Sequence, residues 1–122
     1  MGQERVEDYK DLFVWKRGME LVQAVYRVAR QLPKDEIFAL SSQIRRASVS
    51  IPSNIAEGYG RSSPADYKRF LSIARGSAYE VETQLLLCVS LSYVSQAEVE
   101  TAIKLVNEII RMLNVLIPKV NG

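Results

Sequence analysis

Residues 40–58 read LSSQIRRASVSIPSNIAEG, and two stripes run through them. With Ile37 in front, Leu40, Ile44, Ala47, Ile51 and Ile55 recur at three- and four-residue steps. That spacing predicts one apolar face of an α-helix. Gln43, Arg46, Ser50, Asn54 and Glu57 recur at the same steps, one flank over. A polar stripe bordering a buried face predicts a specific neighbour, because buried polar groups need partners.

Working outward, the rest of the chain fits the same helical period. A first helix is expected from Leu12 or Val14 to Gln31, with Trp15, Met19, Val22, Val25 or Tyr26, Ala29 and Leu32 inward. Leu32-Pro33 ends it, since the residue before proline leaves the α region. The second helix is expected from about Asp35 to Tyr59, with the acids Asp35 and Glu36 at its positive end. Pro52 lies inside it and removes the hydrogen bond to the Ser48 carbonyl, which predicts a kink. Ser48, Ser50 and Ser53 are placed to satisfy the loosened backbone, and Gly58 and Gly60 are expected to stop the helix. Ser63-Pro64-Ala65-Asp66 opens a third helix with Tyr67, Phe70, Ala74, Ala78, Val81, Leu85 and Cys88 inward. Ser95-Gln96-Ala97-Glu98 is a capping box for a fourth, with Val99, Ile103, Val106, Ile109 or Ile110, Leu113 and Leu116 or Ile117 inward. Four long helices and short connections predict an all-α, antiparallel, up-down-up-down four-helix bundle, its second helix kinked at the proline. Residues 1–11, mostly charged, read as a flexible N-terminal tail, and 12–122 as a single domain.

The motifs also resemble a known family. Gln43-Ile44-Arg45-Arg46-Ala47, Ser50-Ile51-Pro52-Ser53-Asn54-Ile55-Ala56-Glu57-Gly58 and Gly60-Arg61 occur in order. Tyr67, Phe70-Leu71, Ile73-Ala74-Arg75-Gly76-Ser77, Glu80 and Thr83-Gln84-Leu85 follow, with Tyr9, Asp11-Leu12, Val14-Trp15-Lys16, Leu32-Pro33 and Glu36 ahead of them. This series is similar to the four-helix-bundle family of the 23S rRNA intervening-sequence protein, also called S23-like. The resemblance covers residues 9–94 and implies the bundle fold. It implies no particular reaction.

Composition bounds the function. The chain has 122 residues, one cysteine and no histidine. Histidine acid–base pairs, triads and metal sites are therefore excluded, and a single Cys88 excludes an internal disulfide framework. Glu57 and Glu80 are the one paired-carboxylate candidate across helices, and they lack the histidines of di-iron bundles. No enzyme, cofactor or metal is expected. No apolar run reaches about 20 residues, so no membrane span is expected, and with no visible signal peptide the chain reads as cytoplasmic.

The formal charge of +2 is unevenly spread. Residues 41–79 carry Arg45, Arg46, Arg61, Lys68, Arg69 and Arg75 against only Glu57 and Asp66. These six cations are the candidate nucleic-acid-binding residues, with Tyr59 or Tyr67 available to stack on a base. The competing reading makes Gln43, Arg46, Ser50, Asn54, Glu57, Gly76 and Glu80 a structural network. In it Arg45 or Arg46 pairs with Glu80, and bare Gly76 lets two helices approach. Leu86, Leu87 and Val89 lie off the third helix's stripe, and Leu105, Ile110 and Leu116 broaden the fourth. Such width predicts a second buried face and hence a homo-oligomer; the resemblance implies a pentameric ring. The expected function is a non-catalytic accessory bundle that associates with RNA or other nucleic acid. The alternative is an oligomeric scaffold for an unidentified protein partner.

Overall fold

The structure, a computed structural model, describes residues 5–121. Those residues form four α-helices and no strand: α1 Phe13–Ala29, α2 Leu40–Tyr59, α3 Pro64–Ser90 and α4 Gln96–Lys119. Short 3-10 turns at Tyr9–Asp11 and Lys34–Glu36 precede α1 and α2. Helices α1 and α3 each pack on both α2 and α4, as in a bundle. Leu21, Ile44, Ile51, Ile55, Leu71, Leu85, Ile109 and Leu113 are fully buried at the centre.

The caps read from the sequence form. The Ser63 side chain accepts from the Asp66 N–H, and Ser95 and Glu98 close a reciprocal capping box. Residues 5–11 of the expected tail include a second such box, between Asp8 and Asp11. Tyr9 beside it packs edge-to-face on Trp15 with ring centroids 5.4 Å apart. Residues 1–4 lie outside the described residues.

Several expectations shift. Helix α2 begins at Leu40 rather than Asp35, because the backbone at Ala39 leaves the helical region. Its first N–H groups take a cap from outside the helix: the Glu36 carboxylate accepts from the Leu40 N–H at 3.2 Å. Ile37 therefore falls in the connection and is 51 % exposed, off the stripe that its spacing suggested. On α1 the buried face is Val14, Gly18, Leu21, Ala24, Val25, Val28 and Ala29. That is one position round from the expected stripe, and it leaves Met19 exposed and Trp15 and Val22 half-buried. The cause is Gly18: a Cβ there would lie 3.3 Å from Pro52 Cβ, so α1 seats its bare position over the proline.

Pro52 is buried within a helix that runs on to Tyr59. The Ser48 and Ser50 hydroxyls donate to the Arg45 and Ala47 carbonyls, at 2.8 and 2.9 Å, one turn back. Gly58 is no helix stop. It lies inside α2, where a Cβ would come 2.6 Å from Phe70 Cβ, so this glycine lets α3 approach. Gly60 is the C-cap. The close approach expected at Gly76 is absent, since nothing lies within 4 Å of a Cβ placed there.

Glu36 also joins two connections. Its carboxylate accepts from the Tyr93 hydroxyl at 2.7 Å, across 57 residues. The Tyr93 bond, then the Leu40 N–H, hold the Glu36 carboxyl below its ordinary pKa, and the same bond raises Tyr93. A depressed carboxylate pKa gives stability that is complete above the unfolded-state value and lost as pH falls through the folded-state value. Tyr93→Phe is therefore expected to shrink the fall in thermal midpoint as pH drops through the carboxylate range. Parallel midpoint-against-pH curves for the two chains would refute this.

Candidate nucleic-acid interface

The six cations are carried by α2, the α2–α3 connection and α3, and they do not form one uniform field. Arg45 is half-buried, with its guanidinium over the Tyr26 ring at 5.4 Å. Its Nε is buried with no hydrogen-bond partner among the described residues. Arg46 projects outward from α2 and is exposed. Arg61 pairs with Glu57 at 2.8 Å, one turn back. Arg69 pairs with Asp66 at 3.5 Å. Both of these arginines lie over the Phe70 ring, at 4.9 and 4.6 Å from its centroid. Arg75 donates to the Asn114 Oδ1 on α4 at 2.9 Å. Lys68 is half-buried and, like Arg46, makes no ion pair among the described residues.

The exposed ion pairs are weak as stabilisers, about 0–1 kcal/mol each. Their consequence is electrostatic: Glu57 and Asp66 neutralise part of the positive charge expected over residues 41–79. Tyr59 at the end of α2 and Tyr67 in the first turn of α3 pack edge-to-face on one another, centroids 5.9 Å apart, so they join the two helices beside their connection.

The polar stripe of α2 meets α3 at Ser50. The Ser50 hydroxyl lies 2.6 Å from that of Ser77. Asn54 instead turns back on its own helix and donates to the Ser50 carbonyl at 2.7 Å. No ion pair joins Arg45 or Arg46 to Glu80, which corrects that expectation; Glu80 accepts from the Gln84 amide at 3.2 Å. Gln84 is buried, and its Oε1 has no partner among the described residues. Gln43 is exposed on the same seam.

Spacing on the first helix missed a second basic group. Arg27 and Arg30 line a depression with Val22, Gln23 and Tyr26. Val22 and Gln23 also line its apolar continuation with Trp15, Met19, Val49 and Ala56. The signal was present in the sequence as Tyr26-Arg27 followed three residues later by Arg30, one helical turn. Elsewhere, burial first, and then the charge of Glu36, push the Cys88 thiol up from its ordinary pKa, which suits a structural core thiol. Among the described residues no three His, Cys, Asp or Glu side chains gather where they would hold a metal, and no helix is long and apolar enough to cross a membrane.

These features define an all-α protein of four helices packed as in a bundle. More particularly, the chain belongs to the 23S rRNA-intervening sequence protein family, whose profile it matches over residues 10–115. It is also similar to a solved structure of a protein of unknown function from the S23 ribosomal protein family of Bacteroides thetaiotaomicron VPI-5482. That likeness has a TM-score of 0.79 at 28 % identity, covering 85 % of this chain and 97 % of the other. A search of curated proteins gives no match.

Proposed function

We propose that this protein is a non-catalytic interaction bundle that works as a homo-oligomer in the cytoplasm, where a lone thiol such as Cys88 stays reduced. One observation carries this reading: the outward ridge of α3. Ile73, Tyr79, Leu86 and Leu87 are exposed along it, with Gly76 facing open space. A glycine inside a helix costs about 1 kcal/mol relative to alanine. A large apolar side chain left in water forgoes about 1.5–3 kcal/mol. Both costs are recovered when a second helix lies against this ridge.

The same reading takes the bundle as up-down-up-down, with a bend at Pro52. Pairs that run in opposite order support it. Gly18 meets Pro52 while Tyr26 meets Arg45, and Ser50 meets Ser77 while Gly58 meets Phe70. A pentamer is the ring size proposed.

Association of the assembled ring with RNA is a second reading. It is favoured by Arg46 and Lys68, which make no ion pair among the described residues and would repeat around a ring. Light scattering with and without a structured RNA, at low and moderate salt, tests both readings. An assembly several times the 13.8 kDa chain is expected. A single-chain mass at every concentration would sink self-association. RNA binding that fades with salt and with Arg46→Glu/Lys68→Glu would support the second reading; no binding at low salt would end it.

A further inference from the structure

We infer that the assembly is built head-to-tail, with the outward ridge of α3 from one copy seated in the α1–α2 groove of the next. This rests on the self-association proposed above and names its two surfaces. Two features that have no use inside one chain become complementary when two chains meet.

The groove is the first. Its floor is apolar at one end, where Met19 and Val49 remain 43 and 41 % exposed beside half-buried Trp15 and Val22. Its other end is basic: Arg27 and Arg30 line it, and the Arg45 guanidinium lies over the ring of Tyr26, another of its lining residues. No carboxylate lines either part, and none of these three arginines makes an ion pair among the described residues. The groove asks for an occupant that is apolar at one end and anionic at the other. A nucleic-acid backbone, charged along its whole length, leaves the apolar floor unmatched.

The ridge is the second. Glu80 is exposed and makes no ion pair among the described residues. It stands seven residues from Ile73, two helical turns and about 10 Å along α3. From Met19 and Val22 to Arg27 and Arg30 is about eight residues, or about 12 Å, along α1. Ile73 can therefore meet the apolar floor while Glu80 meets the arginines. Gly76 falls between them, and its missing side chain admits the wall of the groove. A helix docked at a bare glycine approaches more closely than the usual 8–10 Å between axes.

Groove and ridge are different surfaces of one chain, so each copy uses both at once. Contacts between unlike patches propagate head-to-tail and close into a ring when the rotation per copy allows. A self-complementary patch would stop at two.

Two substitutions test this without touching the core. Met19→Asp spoils the groove at an exposed position, and Gly76→Leu fills the bare point of the ridge where nothing lies within 4 Å. Circular dichroism of each variant is expected to keep the helical signal of the parent. By light scattering each alone is expected to lose the assembly and run as a single 13.8 kDa chain. Mixed one to one, they are expected to form a heterodimer and nothing larger: the intact ridge of Met19→Asp enters the intact groove of Gly76→Leu, leaving two spoiled surfaces. Variants that assemble like the parent, or a mixture that stays monomeric, would overturn the head-to-tail contact while leaving self-association standing. A parent chain that never assembles would instead sink the proposed function and this contact with it.

Discussion

Gly58→Ala is expected to destabilise the fold, and Gly76→Ala to stabilise the isolated chain, although both glycines sit inside helices of the same motif. At Gly58 the new Cβ would come 2.6 Å from Phe70 Cβ and 3.2 Å from Tyr67 Cδ1. Phe70 is 7 % exposed, with Arg61 and Arg69 over its ring, so it has little room to retreat. Forcing a methyl group into such a contact costs about 1–3 kcal/mol. Alanine's better helix propensity returns at most about 1 kcal/mol of this. At Gly76 the steric term is absent, because the position faces open space, and only the propensity gain of about 1 kcal/mol remains. Urea denaturation at concentrations where the chain is dissociated measures both. Equal shifts of the two midpoints in the same direction would contradict the packing described at Gly58.

The second large effect separates two isoleucines that share a spacing. Ile51→Ala is expected to lose about 2–5 kcal/mol, the range for truncating a buried aliphatic side chain. Ile51 has no exposed surface, and it neighbours Pro52, on which Gly18 of α1 is seated. Rigid neighbours collapse poorly into a void, which points to the upper part of that range. Ile37→Ala is expected to change stability by less than about 0.5 kcal/mol, since surface substitutions usually do. Thermal or urea melts of the two variants decide the matter. A loss at Ile37 comparable to that at Ile51 would mean that the helix begins earlier than Leu40.

That pair shows how far sequence reaches. Fourteen residues separate Ile37 from Ile51, close to four turns at 3.6 residues per turn, so periodicity places them on one face. Periodicity does not say where a helix starts. The start at Leu40 depends on the Glu36 carboxylate capping the Leu40 N–H while held by Tyr93, a partner 57 residues away. Likewise the α1 stripe was displaced by one position because Gly18, a residue with no hydrophobic signal, packs on Pro52. Caps such as Ser63 with Asp66 and Ser95 with Glu98 were legible because both partners lie within four residues.

The candidate interface divides the same way. Arg45, Arg46, Arg61, Lys68, Arg69 and Arg75 were legible as a basic stretch. Which of them stay unpaired was not, since Arg75 finds Asn114 only across two helices. Gly76 reversed its expected role for the same reason: the space beside a glycine depends on what the rest of the chain leaves there.

By itself, then, the sequence determined the helical class, the helix caps, the inward faces of α3 and α4 and the family motif, because each is a property of residues within a few turns of one another. The tertiary structure decided the entry to α2, the rotation of α1, the contrast between Gly58 and Gly76 and the groove between α1 and α2. Those depend on residues far apart in the chain competing for the same space, and no local spacing encodes which of them is brought into contact.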